Sequence, residues 1–272
     1  MKFLELSEIH QVTIGVVKKI IDICKNQNIK YFVMYGSLIG AVRHKGFIPW
    51  DDDFDIIMLR PEYERFMNYC YTHKEELKPY QLINRYTNEN YPFNISRFCD
   101  CRYEMIRDDG EENAGMGIFV DIYPFDGLGN NPMSMMDKFI LKKFFLITCL
   151  NYATIQKINT KNDGVLKSAC KRLIWGICHA IGKKRWLRLL VKFRNTYDIN
   201  ESKYVGCVVW DQGLFIFEKD WFNNPIMMEF EGMKVAVPDK YHEMLSIVYG
   251  NYMELPTPDK RIPSHEYKII KI

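Results

Sequence analysis

The sequence predicts a mixed α+β fold with a basic helical insert or second lobe, and three observations predict it. Apolar residues at helical spacing alternate with short apolar runs through the first half, with Gly, Pro and Asn at the boundaries. From Asp137 to about Asn195 the composition becomes helix-compatible, with 14 Lys or Arg against two acids, Asp137 and Asp163. Short strand-like runs then return. The 272 residues, 47% hydrophobic and 26% charged, suffice for one large domain or two modest ones with a core. The expected division is a core over 1–130, the basic helical insert or lobe over 131–200, and a C-terminal part over 201–272 that completes the core domain.

Ile9, Val12, Val16, Ile20 and Ile23 recur at helical spacing and predict a first helix ending near Asn26-Gln27-Asn28. The apolar run Tyr31 to Tyr35 reads as a buried strand that stops at Gly36-Ser37. Residues 38–44 suit a helical turn, and Gly46 and Pro49 mark a loop ahead of Asp51. Phe54 to Leu59 reads as a second strand. Pro61 then opens a helix with Tyr63, Phe66, Met67 and Cys70 at helical spacing, because proline suits the first helical position. Gln81 to Tyr86 and Phe93 to Cys101 are strand candidates joined by the Asn88-Glu89-Asn90 turn cluster, and Ile118 to Tyr123 is a third. Beyond the basic block, Tyr204 to Trp210 and Met233 to Val237 read as strands. A helix from about Asp239 to Tyr249, capped by Gly250, precedes a Pro-rich tail.

The net charge of +3 is close to balance and no reader motif is present, so a nucleic-acid partner is not expected. Eight dispersed cysteines without a C-x-x-C pair suit a reduced compartment. Cys99 and Cys101 alternate about Asp100, and a zinc site there would need two further ligands, so buried strand thiols are the plainer reading. The N-terminal stretch MKFLELSEIHQVTIG carries acidic and polar residues where an export signal is apolar, which makes a cytoplasmic location the expectation. No run of about 18 apolar residues suggests a membrane-spanning helix.

The most informative stretch runs from Tyr35 to Ile56, where Asp51, Asp52, Asp53 and Asp55 put four carboxylates within five residues. On a strand, Asp53 and Asp55 share a face, Asp51 joins them if the strand begins that early, and Asp52 points the other way. Converging carboxylates repel one another unless a cation neutralises them, and an all-oxygen ligand set favours Mg²⁺ or Mn²⁺. Such a pair can hold one or two hard cations against phosphates, the logic of phosphoryl and nucleotidyl transfer. Asp121 supplies a third acid from the middle of an apolar strand, where burial is unfavourable without a partner. Gly36-Ser37 stands where a strand meets a helix, so a phosphate can approach backbone N–H groups there. Arg43 suits a diphosphate through paired hydrogen bonds; His44 and Lys45 follow it, with a solvated surface loop as the plain alternative.

The run Gly-Ser-Leu-Ile-Gly-Ala-Val-Arg-His-Lys-Gly-Phe-Ile-Pro-Trp-Asp-Asp-Asp-Phe-Asp-Ile over 36–56 closely resembles the LicD family. Val120-Asp121-Ile122-Tyr123-Pro124-Phe125-Asp126 and the segment Leu245 to Arg261 are similar to the same family. That family includes phosphorylcholine transferases related to fukutin-type ribitol-phosphate transferases. The resemblance implies a nucleotidyltransferase-like mixed sheet flanked by helices, and transfer of a phospho-alcohol from a CDP-linked donor such as CDP-choline to a glycan hydroxyl, with CMP leaving. It implies Asp53 and Asp55 as ligands of Mg²⁺ or Mn²⁺, Asp121 as a third ligand or as the base, and Asp51 as an accessory acid at the substrate. The acceptor expected is a cell-surface glycan of lipopolysaccharide, teichoic acid or capsule type. Lys260, Arg261 and His265 fall in or beside the family-like tail, where they can reach the donor's phosphates or base; a surface extension is the plain alternative. The same acids also suit a nucleotidyltransferase that retains NMP and releases pyrophosphate, and a non-catalytic glycan-assembly subunit is a third reading.

The basic block has three readings. Its Lys and Arg residues, interleaved with residues such as Phe139, Phe144, Leu173 and Trp175, can lie peripherally on anionic lipid at the inner face of the cell membrane. They can line a groove for an anionic glycan. They can also solvate helices whose apolar stripes pack inward.

Overall fold

A computed structural model describes residues 2–89, 91–107, 114–131, 136–160, 163–210, 213–263 and 267–272. Helix α1 (Leu6–Asn26) begins with a capping box in which the Glu5 backbone N–H donates to the Glu8 carboxylate at 2.8 Å. It buries the face carrying Ile9, Val16, Ile20 and Ile23, and the Gln27 N–H closes it on Ile23. Strand β1 (Phe32–Val33) leads directly into the short helix α2 (Tyr35–Ile39), which continues as a wide π-turn over Gly40–His44. Residues 51–54 carry no strand; β2 (Asp55–Leu59) starts one residue later than expected and runs into α3 (Arg60–Thr72), with Pro61 in its first turn. The chain then forms β3 (Tyr80–Ile83), β4 (Ser96–Asp100), β5 (Tyr103–Arg107) and β6 (Ile118–Gly127).

The sheet runs in the order β1-β2-β6-β4-β3. It is mixed: β2 and β6 are parallel, with Asp55 opposite Asp121, while β1 pairs antiparallel with β2, β4 with β6 and β3 with β4. Every residue of β6 is buried, as a strand paired on both edges and covered on both faces requires. Helix α1 packs against β4, and α3 against β2 and β3.

Beyond β6 come three helices, α4 (Met136–Thr154), α5 (Val165–Ile181) and α6 (Lys183–Arg194), then the short strand β7 (Tyr204–Gly206), which pairs with Asp126 and Gly127. The rest comprises β8 (Phe217–Glu218), the antiparallel hairpin β9 (Ile226–Phe230) and β10 (Met233–Val237), α7 (Tyr241–Tyr249) and β11 (Tyr267–Lys271). The hairpin turns at Glu231-Gly232, both left-handed, the geometry that matches the strand twist. Gly250 ends α7 at φ 67°, its N–H donating to Ser246. The tail, expected to be an extension, returns as β11 and pairs antiparallel with β5. The two strands are about 160 residues apart in sequence, a pairing that no local pattern announces.

The chain divides into two compact units, 1–125 with 217–272, and 126–216, so residues 201–216 group with the helices. In the first unit Phe47, Phe54 and Phe230 meet edge to face with centroids 4.9–6.2 Å apart, pinning both ends of the acidic loop to the β9–β10 hairpin. In the second, Trp186 donates its indole N–H to Cys178 O at 3.1 Å, Phe139 packs on Phe193 at 4.4 Å, and the buried Lys143 ammonium donates to Gly213 O at 2.8 Å.

Candidate active site

The acidic site is assembled by two adjacent parallel strands and the loop feeding one of them. Asp55 opens β2 and Asp121 lies opposite it on β6. The backbone fixes this register: Asp121 N–H donates to Phe54 O at 2.9 Å, and Met34 N–H to Asp55 O at 3.1 Å. One carboxylate oxygen each from Asp53, Asp55 and Asp121 lies within 4.8 Å of the others. Asp51, Asp52 and Asp53 form a second such group, sharing Asp53 with the first. Asp52 therefore does not take the opposite face, because strand alternation does not apply to the irregular residues 51–54.

Arg97 faces Asp121 across the β4–β6 ladder. Its Nε donates to Oδ1 at 2.7 Å and its Nη2 to Oδ2 at 3.3 Å, while the guanidinium lies 3.7 Å from the Phe119 ring centroid and 4.2 Å from that of Phe93. Burial opposes charge on Arg97, yet Asp121 and then the Tyr91 and Tyr267 phenols together raise the arginine's pKa above its usual value. Arg97 thus pairs with Asp121, while Asp53 and Asp55 each bring a carboxylate close to that of Asp121. Asp55 bears the consequence: burial first, then Asp53, Asp121 and Asp51, push its pKa well above the ordinary carboxylate range, with Arg97 pulling the other way. Its Oδ1 is buried and accepts no hydrogen bond from the described residues. A buried acceptor left open among like charges fits a hard divalent cation, and the all-carboxylate donor set is of the kind that binds one.

Around the acids stand three tyrosines, Tyr123, Tyr249 and Tyr267, each with its phenol pKa raised by burial and then by these carboxylates. Tyr267 also donates to Asp52 O at 3.2 Å. His10 holds the loop from the other side: its Nε2 lies 2.6 Å from Asp51 O and its ring stacks on Phe47 at 4.1 Å. Neither His10, Arg97 nor the tyrosines stood out in the sequence as site residues. Arg97 had no comparable signal, because its strand run also carries Asn94, Ser96 and Asp100, whereas Asp121 stands in an otherwise apolar one. His10 and Tyr267 act on backbone carbonyls of distant residues, for which no local pattern exists.

Ser37 accepts a hydrogen bond from the Asp55 N–H at 2.9 Å, so its hydroxyl seats the strand that presents Asp55. Gly36 lies against Asp51: a Cβ there would stand 2.6 Å from Asp51 Oδ2. Tyr35, just before it, adopts a left-handed φ of 54° at the sharp turn from β1 into α2. Arg43 donates through Nη1 to the carbonyls of Tyr252 at 2.8 Å and Glu254 at 3.4 Å, and through Nε to His44 at 3.0 Å. It therefore ties the π-turn to the C-terminal segment. Burial and then Arg261 lower the Arg43 pKa, and burial and then Arg43 lower that of His44. Arg261 lies 5.6 Å from the Trp50 ring centroid and donates to Pro256 O at 2.9 Å. Lys45 and Lys260 are exposed, and His265 lies outside the described residues.

A mixed sheet that presents carboxylates from adjacent parallel strands, beside a tight strand-to-helix turn, defines a nucleotidyltransferase-like protein. Residues 28–145 match the family described as LicD/FKTN/FKRP, nucleotidyltransferase domain. Over 274 aligned residues, 97% of each chain, the sequence is 32% identical to the lipopolysaccharide cholinephosphotransferase LicD of Haemophilus influenzae. An uncharacterized protein of Rickettsia typhi is 27% identical over 122 residues, 43% of this chain and 35% of that one. Another from Rickettsia prowazekii is 32% identical over 76 residues, 28% of this chain and 24% of that one. The chain belongs to the LicD family.

Proposed function

We propose that this protein transfers phosphocholine, or a similar phospho-alcohol, from a CDP-linked donor such as CDP-choline to a hydroxyl of a cell-surface glycan. One observation carries the reading: a centre of three carboxylates and one guanidinium with an open buried oxygen, in a chain similar along 97% of its length to a lipopolysaccharide cholinephosphotransferase. Asp53, Asp55 and Asp121 would hold Mg²⁺ or Mn²⁺, which when bound neutralises charge on the donor diphosphate and on departing CMP. Both oxygens of Asp121 accept from Arg97, which fixes its orientation and suits it to the ligand role. Asp53, the one acid of the three that is only partly buried, offers one oxygen to the cation site, and its other oxygen would receive the acceptor's proton as the acceptor oxygen bonds to the choline-bearing phosphorus. The bond from that phosphorus to the bridging oxygen breaks, and CMP leaves with the electron pair.

The donor's phosphates bind toward Gly36 and the flank formed by Arg43, His44 and Arg261, where an anion relieves repulsion between two neighbouring guanidiniums. Lys45 and Lys260 are exposed and free to swing toward a charged substrate. Eight free cysteines support a reduced, cytoplasmic setting.

CMP release and label transfer test the reading together. With CDP-choline, a glycan acceptor and Mg²⁺ or Mn²⁺, CMP and glycan-bound phosphocholine are expected in equal amounts; a chelator abolishes both and added metal restores them. Pyrophosphate release with the nucleotide kept on the acceptor overturns the reading in favour of nucleotidyl transfer. Silence across CDP-alcohols from folded protein points to a non-catalytic subunit. Within this reading Gly36→Ala is expected to lower the transfer rate by about 10²-fold, because its Cβ displaces Asp51 by a fraction of an ångström or more. The melting transition should move little. Steady-state rates at saturating donor check this, and an unchanged rate removes Asp51 from the machinery.

A further inference from the structure

We propose that the outward face of α5, with the basic residues beside it, docks on the surface of an anionic lipid bilayer. This goes beyond the transfer reaction and rests only on the helical unit. In α5 the side that packs inward carries Trp175, whose indole N–H donates to Ile155 O at 3.0 Å, and the buried Cys178. The other side is apolar and open to solvent: Leu166 is 79% exposed, Leu173 66%, Ile177 51% and Ile174 44%. These positions fall at i, i+7, i+8 and i+11, one stripe along a helix about 25 Å long. A soluble helix ordinarily turns such a stripe to the core, so an exposed one this long marks an interaction surface.

Charge identifies the partner. Between residues 163 and 194 stand nine Lys or Arg and one acid, Asp163, whose carboxylate is already engaged by Lys167 at 2.8 Å and by Lys171. Lys167 and Arg172 flank the stripe, and Lys184, Arg185 and Arg188 are exposed on α6. A second copy of the chain would bring two strongly basic faces together. An anionic glycan would engage the cations and leave the apolar stripe in water. A bilayer surface with anionic headgroups satisfies both, taking the stripe at the acyl boundary and the cations among the phosphates. Among the described residues no helix is long and apolar enough to cross a membrane, so α5 lies on the surface rather than through it.

Flotation of the full chain with vesicles tests this. Binding is expected to vesicles of phosphatidylcholine mixed with phosphatidylglycerol, falling steeply with added salt, and not to phosphatidylcholine alone. The exposed pair Leu173→Ser with Ile177→Ser should cut binding at least about tenfold, as should Lys184→Glu with Arg188→Glu. Soluble transfer and thermal melting should remain those of the parent, because all four are exposed positions of the helical unit and the acids belong to the other. Failure of the parent to float overturns the proposal. So does binding that the Ser pair leaves intact, which reduces it to plain electrostatics, and so does a dimer in light scattering that the Ser pair dissolves, which assigns the face to a second copy. Vesicle binding is read without any donor or acceptor, so its failure is separate from failure of the transfer reading.

Discussion

Asp55→Asn is expected to reduce transfer by about 10³-fold or more while leaving the fold intact. Asn has nearly the shape of Asp but lacks the charge, so the change removes one ligand of the proposed cation site and leaves Asp53 and Asp121 as the remaining carboxylates of the group. The same substitution has the opposite effect on the metal-free protein. Asp55 is buried beside Asp53, Asp121 and Asp51, and its pKa in the folded state is raised well above the value of an unfolded aspartate. Between those two values the native state holds a proton that the unfolded state has released, so stability falls as pH rises through that window. In chelator the parent should lose stability on going from acid toward neutral pH, and Asp55→Asn should flatten that slope. Mg²⁺ should raise the parent's melting temperature by binding only the native state, with little effect on the variant. Melting curves with and without Mg²⁺ at several pH values, beside steady-state rates, check all three. Normal turnover, or an undiminished Mg²⁺ shift in the variant, removes Asp55 from the cation site.

The acidic centre was legible because its chemistry conflicts with its surroundings. Asp53 and Asp55 announce themselves by spacing, and Asp121 by standing in an apolar run where an acid is costly. The same reasoning applied to Asp52 fails, because alternation presupposes a strand and β2 begins only at Asp55. Most elements of the first unit followed from local periodicity: α1 and α3 lie where their apolar stripes put them, and β4 and β10 fall within the predicted runs. The expected strand at Tyr204 to Trp210 shrinks to Tyr204–Gly206, a run of apolar residues that is buried without continuing the ladder. The pairing of β5 with β11 and the contact of His10 with Asp51 join segments far apart in sequence and left no local trace. In the helical block, period shows that α5 has an apolar stripe but not which way it faces. That depends on the neighbours, which here take the Trp175 and Cys178 side.

Arg97→Met separates the stability of the site from its chemistry. The guanidinium is buried, forked onto both Asp121 oxygens and held between the Phe93 and Phe119 rings. Methionine fills much of that volume but leaves a buried carboxylate unpaired beside Asp55 and Asp53, and the expected loss is about 3–5 kcal/mol, enough to threaten folding. Arg97→Lys keeps a charge but gives up the fork and the planar stacking, and should fall between the parent and Arg97→Met. The double variant Arg97→Met with Asp121→Asn removes both charges and should recover much of the loss, because the penalty lies in the unpaired charge rather than in the absence of a bond. Its activity should not return, since Asp121 is also a ligand in the proposed cation site. Denaturant unfolding of the parent, Arg97→Met, Asp121→Asn and the double variant gives the coupling directly. Losses that simply add would mean that Arg97 supports the strand by packing alone. Restored stability together with restored transfer would make Asp121 a structural acid, leaving the cation to Asp53 and Asp55.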